Sequence, residues 1–176
     1  MKKIANSSEM AVQWRKGYFV SCWHMNQHEN NAMWKCYCEG ADAVAMKTTY
    51  SKLRSCLRPH VFLGVVRYID YTTERLPSLN MLEYITHKQL HFRFENEVRA
   101  VCVAFLDNTE AVPLFEKEDQ PGVYVYAPNV DLSHLIEAVV LHPDATPAFE
   151  ASMAALCSSK ALPPPLRSRK LTAPVF

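Results

Sequence analysis

The chain has 176 residues, a length that fits one domain, with 49% hydrophobic and 21% charged residues, the balance of a globular protein and not of a disordered one. A formal net charge of +1 supplies no overall field toward nucleic acid or an anionic membrane, so a nucleic-acid partner is not indicated. No run approaches the ~18 consecutive apolar residues of a membrane span, and the start Met1-Lys2-Lys3-Ile4 lacks the apolar stretch of a secretory signal, which with six scattered cysteines points to a cytoplasmic protein with free thiols.

In chain order, residues 1–16 read as a loosely patterned helix or the remnant of a longer N-terminal part, and residues 17–176 as a single domain. Tyr18–His24 is a strand by alternation, with Phe19, Ser21 and Trp23 on one face and Tyr18, Val20, Cys22 and His24 on the other. Asn26 followed by Glu29 resembles a capping box, and the next helix is expected to bury Ala32, Met33, Cys36 and Tyr37 before Gly40 closes it. Ala43–Lys47 reads as a short strand and Thr49–Leu57 as a helix. Val61–Ile69 reads as a strand interrupted at Gly64, and a stretch from Leu79 to Phe94 as a helix bent near Thr86-His87.

Val98–Leu106 has two apolar faces and is expected to be a central strand covered on both sides. An acidic loop follows, since Asp107 to Asp119 carries five acids against one lysine. Val123–Tyr126, a turn at Asp131, Ile136–Leu141, a helix from Pro147 to Cys157 capped by Thr146, and an edge strand within Leu166–Phe176 complete the reading. Lys160 to Lys170 carries four basic residues and no acid, a charge suited to a solvated edge. The sum is an α+β domain with a mixed or antiparallel sheet of about six or seven strands and flanking helices.

The segment Phe92-Arg93-Phe94-Glu95-Asn96-Glu97-Val98-Arg99 sets two carboxylates and a guanidinium at the mouth of that central strand. Side chains alternate along a strand, so Glu97 and Arg99 share a face with Val101 and Val103. A carboxylate there must be paired or held for chemistry. Two readings stand: Glu97 and Arg99, or Arg93 and Glu95, pair with one another or with Arg67 and finish a polar strand end, or Glu97 is catalytic.

Phe19-Val20-Ser21-Cys22-Trp23-His24, Ala32-Met33-Trp34-Lys35-Cys36-Tyr37, Val65-Val66-Arg67-Tyr68-Ile69-Asp70-Tyr71, His87-Lys88 and Glu95-Asn96-Glu97-Val98-Arg99-Ala100 resemble, in order and spacing, the DUF2971 family. Val139-Val140-Leu141-His142-Pro143 and Ser168–Phe176 extend the likeness to the end of the chain. That family is bacterial and phage-associated and has no assigned activity, so the resemblance implies a phage-defence or mobile-element setting. Its members carry a longer N-terminal portion with an Asp-Pro-Phe-Glu-like motif that residues 1–16 do not contain, so the resemblance implies either a shortened member or a fragment of a longer one.

A Glu-x-Glu at a strand start is also used by ADP-ribosyltransferases. By that analogy the fold would be ADP-ribosyltransferase-like and the cofactor NAD, with Glu97 catalytic, Glu95 its partner toward the acceptor, and Ser21 shaping the nicotinamide pocket. Arg99, Trp23, Trp34, Tyr37 and Arg67 then form the candidate substrate-binding set, the aromatic residues also suiting base stacking. Cys22, His24, His28, Cys36 and Cys38 include zinc-type ligands, but their spacing does not predict a metal centre. The alternative from a different class is a non-catalytic protein-interaction module, a partner or antitoxin-like component of a defence system.

Overall fold

The computed structural model describes residues 17–76, 81–103 and 114–168. The α+β class holds, but the described strands lie in four small sheets of two or three strands instead of one sheet of six or seven. The chain divides into two compact units, each built from two segments: residues 1–25 with 58–129, and residues 26–57 with 130–176.

The first unit is centred on a three-stranded antiparallel sheet in the order β1 (Tyr18–His24), β6 (Glu97–Val103), β3 (Val61–Val65). The central strand is buried on both faces as its pattern requires, with Val98, Ala100 and Cys102 on one side and Val101 and Val103 on the other; residues 104–106 of the expected strand lie outside the described residues. The expected strand Val61–Ile69 breaks at Val66, whose N–H donates to the Glu97 carbonyl at 2.9 Å, and not at Gly64. Beyond the break, β4 (Arg67–Ile69) pairs in parallel with β5 (His87–Gln89).

This pairing divides the expected long helix. Among the described residues of that stretch, which begin at Met81, only α3 (Met81–Thr86) is α-helical, followed by β5 and a 3-10 helix over Leu90–Glu95. Gly64 has a reason of its own: a Cβ placed there would lie 2.9 Å from the Thr86 methyl group. The first unit also carries a hairpin: β8 (Gln120–Tyr126) contains the expected strand Val123–Tyr126, and its partner β7 (Leu114–Lys117) lies inside what reads in the sequence as an acidic loop.

The second unit holds the sheet β10 (Leu166–Arg167), β9 (Ala138–Leu141), β2 (Val44–Lys47), with Val139 and Leu141 in its core. Its helices are α1 (Asn31–Tyr37), α2 (Tyr50–Cys56), α4 (Leu132–Leu135) and α5 (Pro147–Ser159). Thr146 caps α5 with its hydroxyl as expected, and Thr49, expected as the first residue of its helix, caps α2 in the same way. The cap of α1 is Asn30, not Asn26, and its buried residue is Trp34, stacked edge-on to His142 at 5.3 Å. Tyr37 is 63% exposed, so the expected apolar stripe through Cys36 and Tyr37 is corrected: a seven-residue helix buries one narrow line of contact, and Trp34 fills it.

Candidate functional site: a closed charge cluster and an open ribbon

Asn96 sets the geometry of the charged motif. Its left-handed backbone (φ 40°, ψ 63°), tolerated by asparagine better than by most residues, ends the 3-10 helix and starts β6. It is held in place because Met25 N–H donates to its carbonyl at 2.8 Å and its side-chain amide donates to the Met25 carbonyl. The carboxylates on either side of it reach one ammonium group. Lys88 Nζ, from β5, donates to Glu95 Oε2 at 2.6 Å and to Glu97 Oε1 at 2.7 Å, with the Phe92 ring centroid 4.6 Å from the same nitrogen.

Arg99 completes the cluster. Its Nε donates to Glu97 Oε2 at 2.8 Å, a second guanidinium nitrogen lies 3.3 Å from Glu97 Oε1, and the third donates to the Ile85 carbonyl of α3. The Glu97 backbone N–H donates to the Tyr68 hydroxyl at 2.9 Å. Glu95 and Glu97 are each only 4% exposed, so two buried carboxylates are balanced by two cations.

Burial alone would raise the Glu97 carboxyl, but hydrogen bonds from Arg99 and Lys88 outweigh it and hold the group down at about 2. The same contacts work on the cations. Burial disfavours the charge on Lys88 and Arg99, yet the carboxylates keep both above their ordinary values. Cys22 lies opposite Arg99 in the register, and burial and its hydrogen bond to Glu97 push the thiol up, the reverse of what an activated nucleophile requires.

The register also sorts the expected site residues. Cys22 and His24 pair with Arg99 and Glu97 and therefore share their face, whereas Ser21 and Trp23 pair with Ala100 and Val98 and point to the other side of the sheet. Ser21 is thus not brought to Glu97. Arg67 is exposed and lies 3.8 Å from Glu74, not beside Glu97. Trp34 and Tyr37 belong to the second unit, one in its core and one on its surface.

Of the expected set, the structure brings together Glu95, Glu97 and Arg99. It adds Lys88 and Tyr68, which the sequence motifs contain but give no role. His24 sets Nδ1 against the Glu95 carbonyl. Among the described residues no group of three or more His, Cys, Asp or Glu is placed to hold a metal ion, and no helix is long and apolar enough to cross a membrane.

The hairpin is the opposite kind of surface. Val123, Tyr124 and Val125 are 42%, 51% and 39% exposed, and because successive strand residues alternate, both faces of β8 present apolar groups. Gly122, at φ 81°, donates its N–H to Glu116 Oε1 at 2.6 Å, and the Tyr126 ring sits 6.0 Å from that of Phe19 on β1, anchoring the base of the ribbon. Among the described residues no strand pairs with the second edge of β8.

Compared with protein-family models, curated proteins and solved structures, the chain matches none.

Proposed function

We propose that the chain is a non-catalytic protein-interaction module in which β8 receives an extended partner segment by strand addition. The observation that carries this reading is the ribbon itself: three consecutive exposed apolar residues beside a strand edge that no described strand occupies. A two-stranded ribbon is marginal alone, and main-chain pairing to an exposed edge is a general mode of peptide recognition. The buried cluster then serves as a fastener that ties β5, the 3-10 helix, α3 and β6 together.

The transferase reading draws less support from the geometry. A glutamate that steadies a ribosyl cation needs a free oxygen facing the ligand. Both Glu97 oxygens are taken by Lys88 and Arg99, and Ser21 is on the other face. Freeing Glu97 would break its charge-assisted hydrogen bonds from Lys88 and from two nitrogens of Arg99, such bonds being worth about 1.5–3 kcal/mol each.

Two measurements test the reading. Incubation with labelled NAD and cell extract is expected to give no label transfer that depends on Glu97; transfer abolished by Glu97→Gln at an unchanged Tm would overturn the proposal. Cross-linking mass spectrometry of the protein in extract is expected to place partner contacts within Gln120–Tyr126, and a double Val123→Lys, Val125→Lys variant is expected to lose them.

A further inference from the structure

We infer that residues 87–95 form a charge-latched conformational switch: Lys88, gripped by Glu95 and Glu97, holds them as β5 and a 3-10 helix, and its release lets α3 continue through them as one α-helix. The inference does not depend on the β8 reading.

The first support is a helix that stops where its sequence does not. Met81–Glu95 contains neither Gly nor Pro and reads as helical well past Thr86, yet α3 ends there after six residues. In a continuing helix the Glu83 carbonyl would accept from the His87 backbone N–H, and the Ile85 carbonyl from that of Gln89. Side chains stand in for both: His87 Nδ1 donates to the Glu83 carbonyl at 2.6 Å, and the Arg99 guanidinium donates to that of Ile85. Either carbonyl can therefore exchange its side-chain donor for a backbone one without being left bare.

The second support is how little else holds the strand form. β4 and β5 pair over three residues only, and a two-stranded sheet is marginal by itself. The tether is Lys88 Nζ, 2.6 Å from Glu95 Oε2 and 2.7 Å from Glu97 Oε1. In a helix running to Glu95, that residue is carried about 10 Å along the axis from Lys88, which parts the two groups. The contact of Lys88 with the Phe92 ring survives, because residues four apart are neighbours on a helix, and His91 with Glu95 makes a second such pair. The helical form also releases the edge of β4 that β5 occupies, so the charge on Lys88 decides whether Arg67–Ile69 is paired.

Backbone Cα chemical shifts of the full chain read the switch directly. Lys88→Gln is expected to move His87–Glu95 from strand and 3-10 values to helical ones continuous with α3, while the cross-strand contacts of β1 with β6 persist. Lys88→Arg, which keeps the charge, is expected to retain the parent shifts. Leu90→Pro is expected to lock the parent form. Leu90 is the first residue of the 3-10 helix and Gln89 before it is extended (φ −59°, ψ 139°), both of which suit proline, whereas in a continuous helix the ring would clash with the Thr86 carbonyl. Adding Leu90→Pro to Lys88→Gln should therefore abolish the helical shifts. Parent-like shifts in Lys88→Gln, coil shifts at 87–95, or helical shifts that survive Leu90→Pro would each overturn the inference. If Lys88→Gln also loses the β1–β6 contacts, the same reading is taken on Glu95→Gln, which leaves Glu97 with Arg99; a partial helical shift there supports the switch and its absence overturns it.

Discussion

The strand start at Glu97 and the strand at Val123–Tyr126 belong to the same compact unit and treat exposure in opposite ways. At Glu97 two buried carboxylates are matched by two half-buried cations, and every carboxylate oxygen of Glu97 has a cationic donor. At β8 apolar groups stand in solvent beside an edge with no described partner. The place richest in chemically interesting residues is therefore the more finished one. Buried charges are tolerated only when matched, and once matched they have little left to offer a ligand. An unmatched apolar edge is the feature that still has something to gain from contact.

The largest expected effect comes from breaking the match. Arg99→Ala removes a cation that reaches both Glu97 oxygens and the Ile85 carbonyl, leaving a buried carboxylate with Lys88 alone. Loss of one partner of a buried pair costs about 3–5 kcal/mol, measurable by urea unfolding. A loss below about 1 kcal/mol would mean that the cluster is solvated, and would bring it closer to the ribbon in character.

Acid should act on the same cluster. The folded Glu97 carboxyl is held at about 2, below its ordinary 4.5. Its contribution is complete above pH ~4.5 and is lost as pH falls toward ~2. The integrated effect is about 3 kcal/mol, from the free energy of one pKa unit multiplied over that interval. Glu97→Gln should flatten this part of the stability–pH curve, whereas the ribbon variants should leave it unchanged.

A smaller effect is expected at the join between the sheet and α3. Gly64→Ala drives a methyl group to 2.9 Å from the Thr86 Cγ2, an overpacking worth about 1–3 kcal/mol. Thr86→Ser deletes that methyl while keeping the hydroxyl that donates to the Leu82 carbonyl at 2.9 Å. The double variant should recover most of the loss, giving a favourable coupling in a double-mutant cycle.

How much of this was legible follows from which contacts are local. The near-continuous apolar run over Val98–Val103 indicates a strand covered on both faces, and period two alone puts Glu97 beside Arg99. Lys88 had no such signal, because it reaches the carboxylates only after His87–Gln89 leaves the helical pattern to pair with Arg67–Ile69, a long-range contact that overrides local propensity. Ser21 shows the same limit from another side. Strand parity put Ser21 opposite Cys22 correctly, but which of the two shares a face with Glu97 depends on the register to β6, and a shift of one residue would exchange them. The hairpin is half legible: Val123–Tyr126 is rich in strand-forming residues, while Leu114–Lys117 reads as part of an acidic loop and becomes a strand only through its pairing with β8, Glu116 opposite Tyr124.

The smallest expected change in stability is at the ribbon, and it is the one that separates the two regions most sharply. Val125 is 39% exposed and pairs across the hairpin with Phe115 through the backbone, so Val125→Lys keeps the ladder and places its ammonium in water. Its effect on the urea midpoint should stay within about 0.5 kcal/mol. If the variant instead destabilises the isolated monomer by several times that amount, Val125 is already covered within the chain, the β8 edge is closed like the Glu97 cluster, and the contrast on which the interaction reading depends disappears.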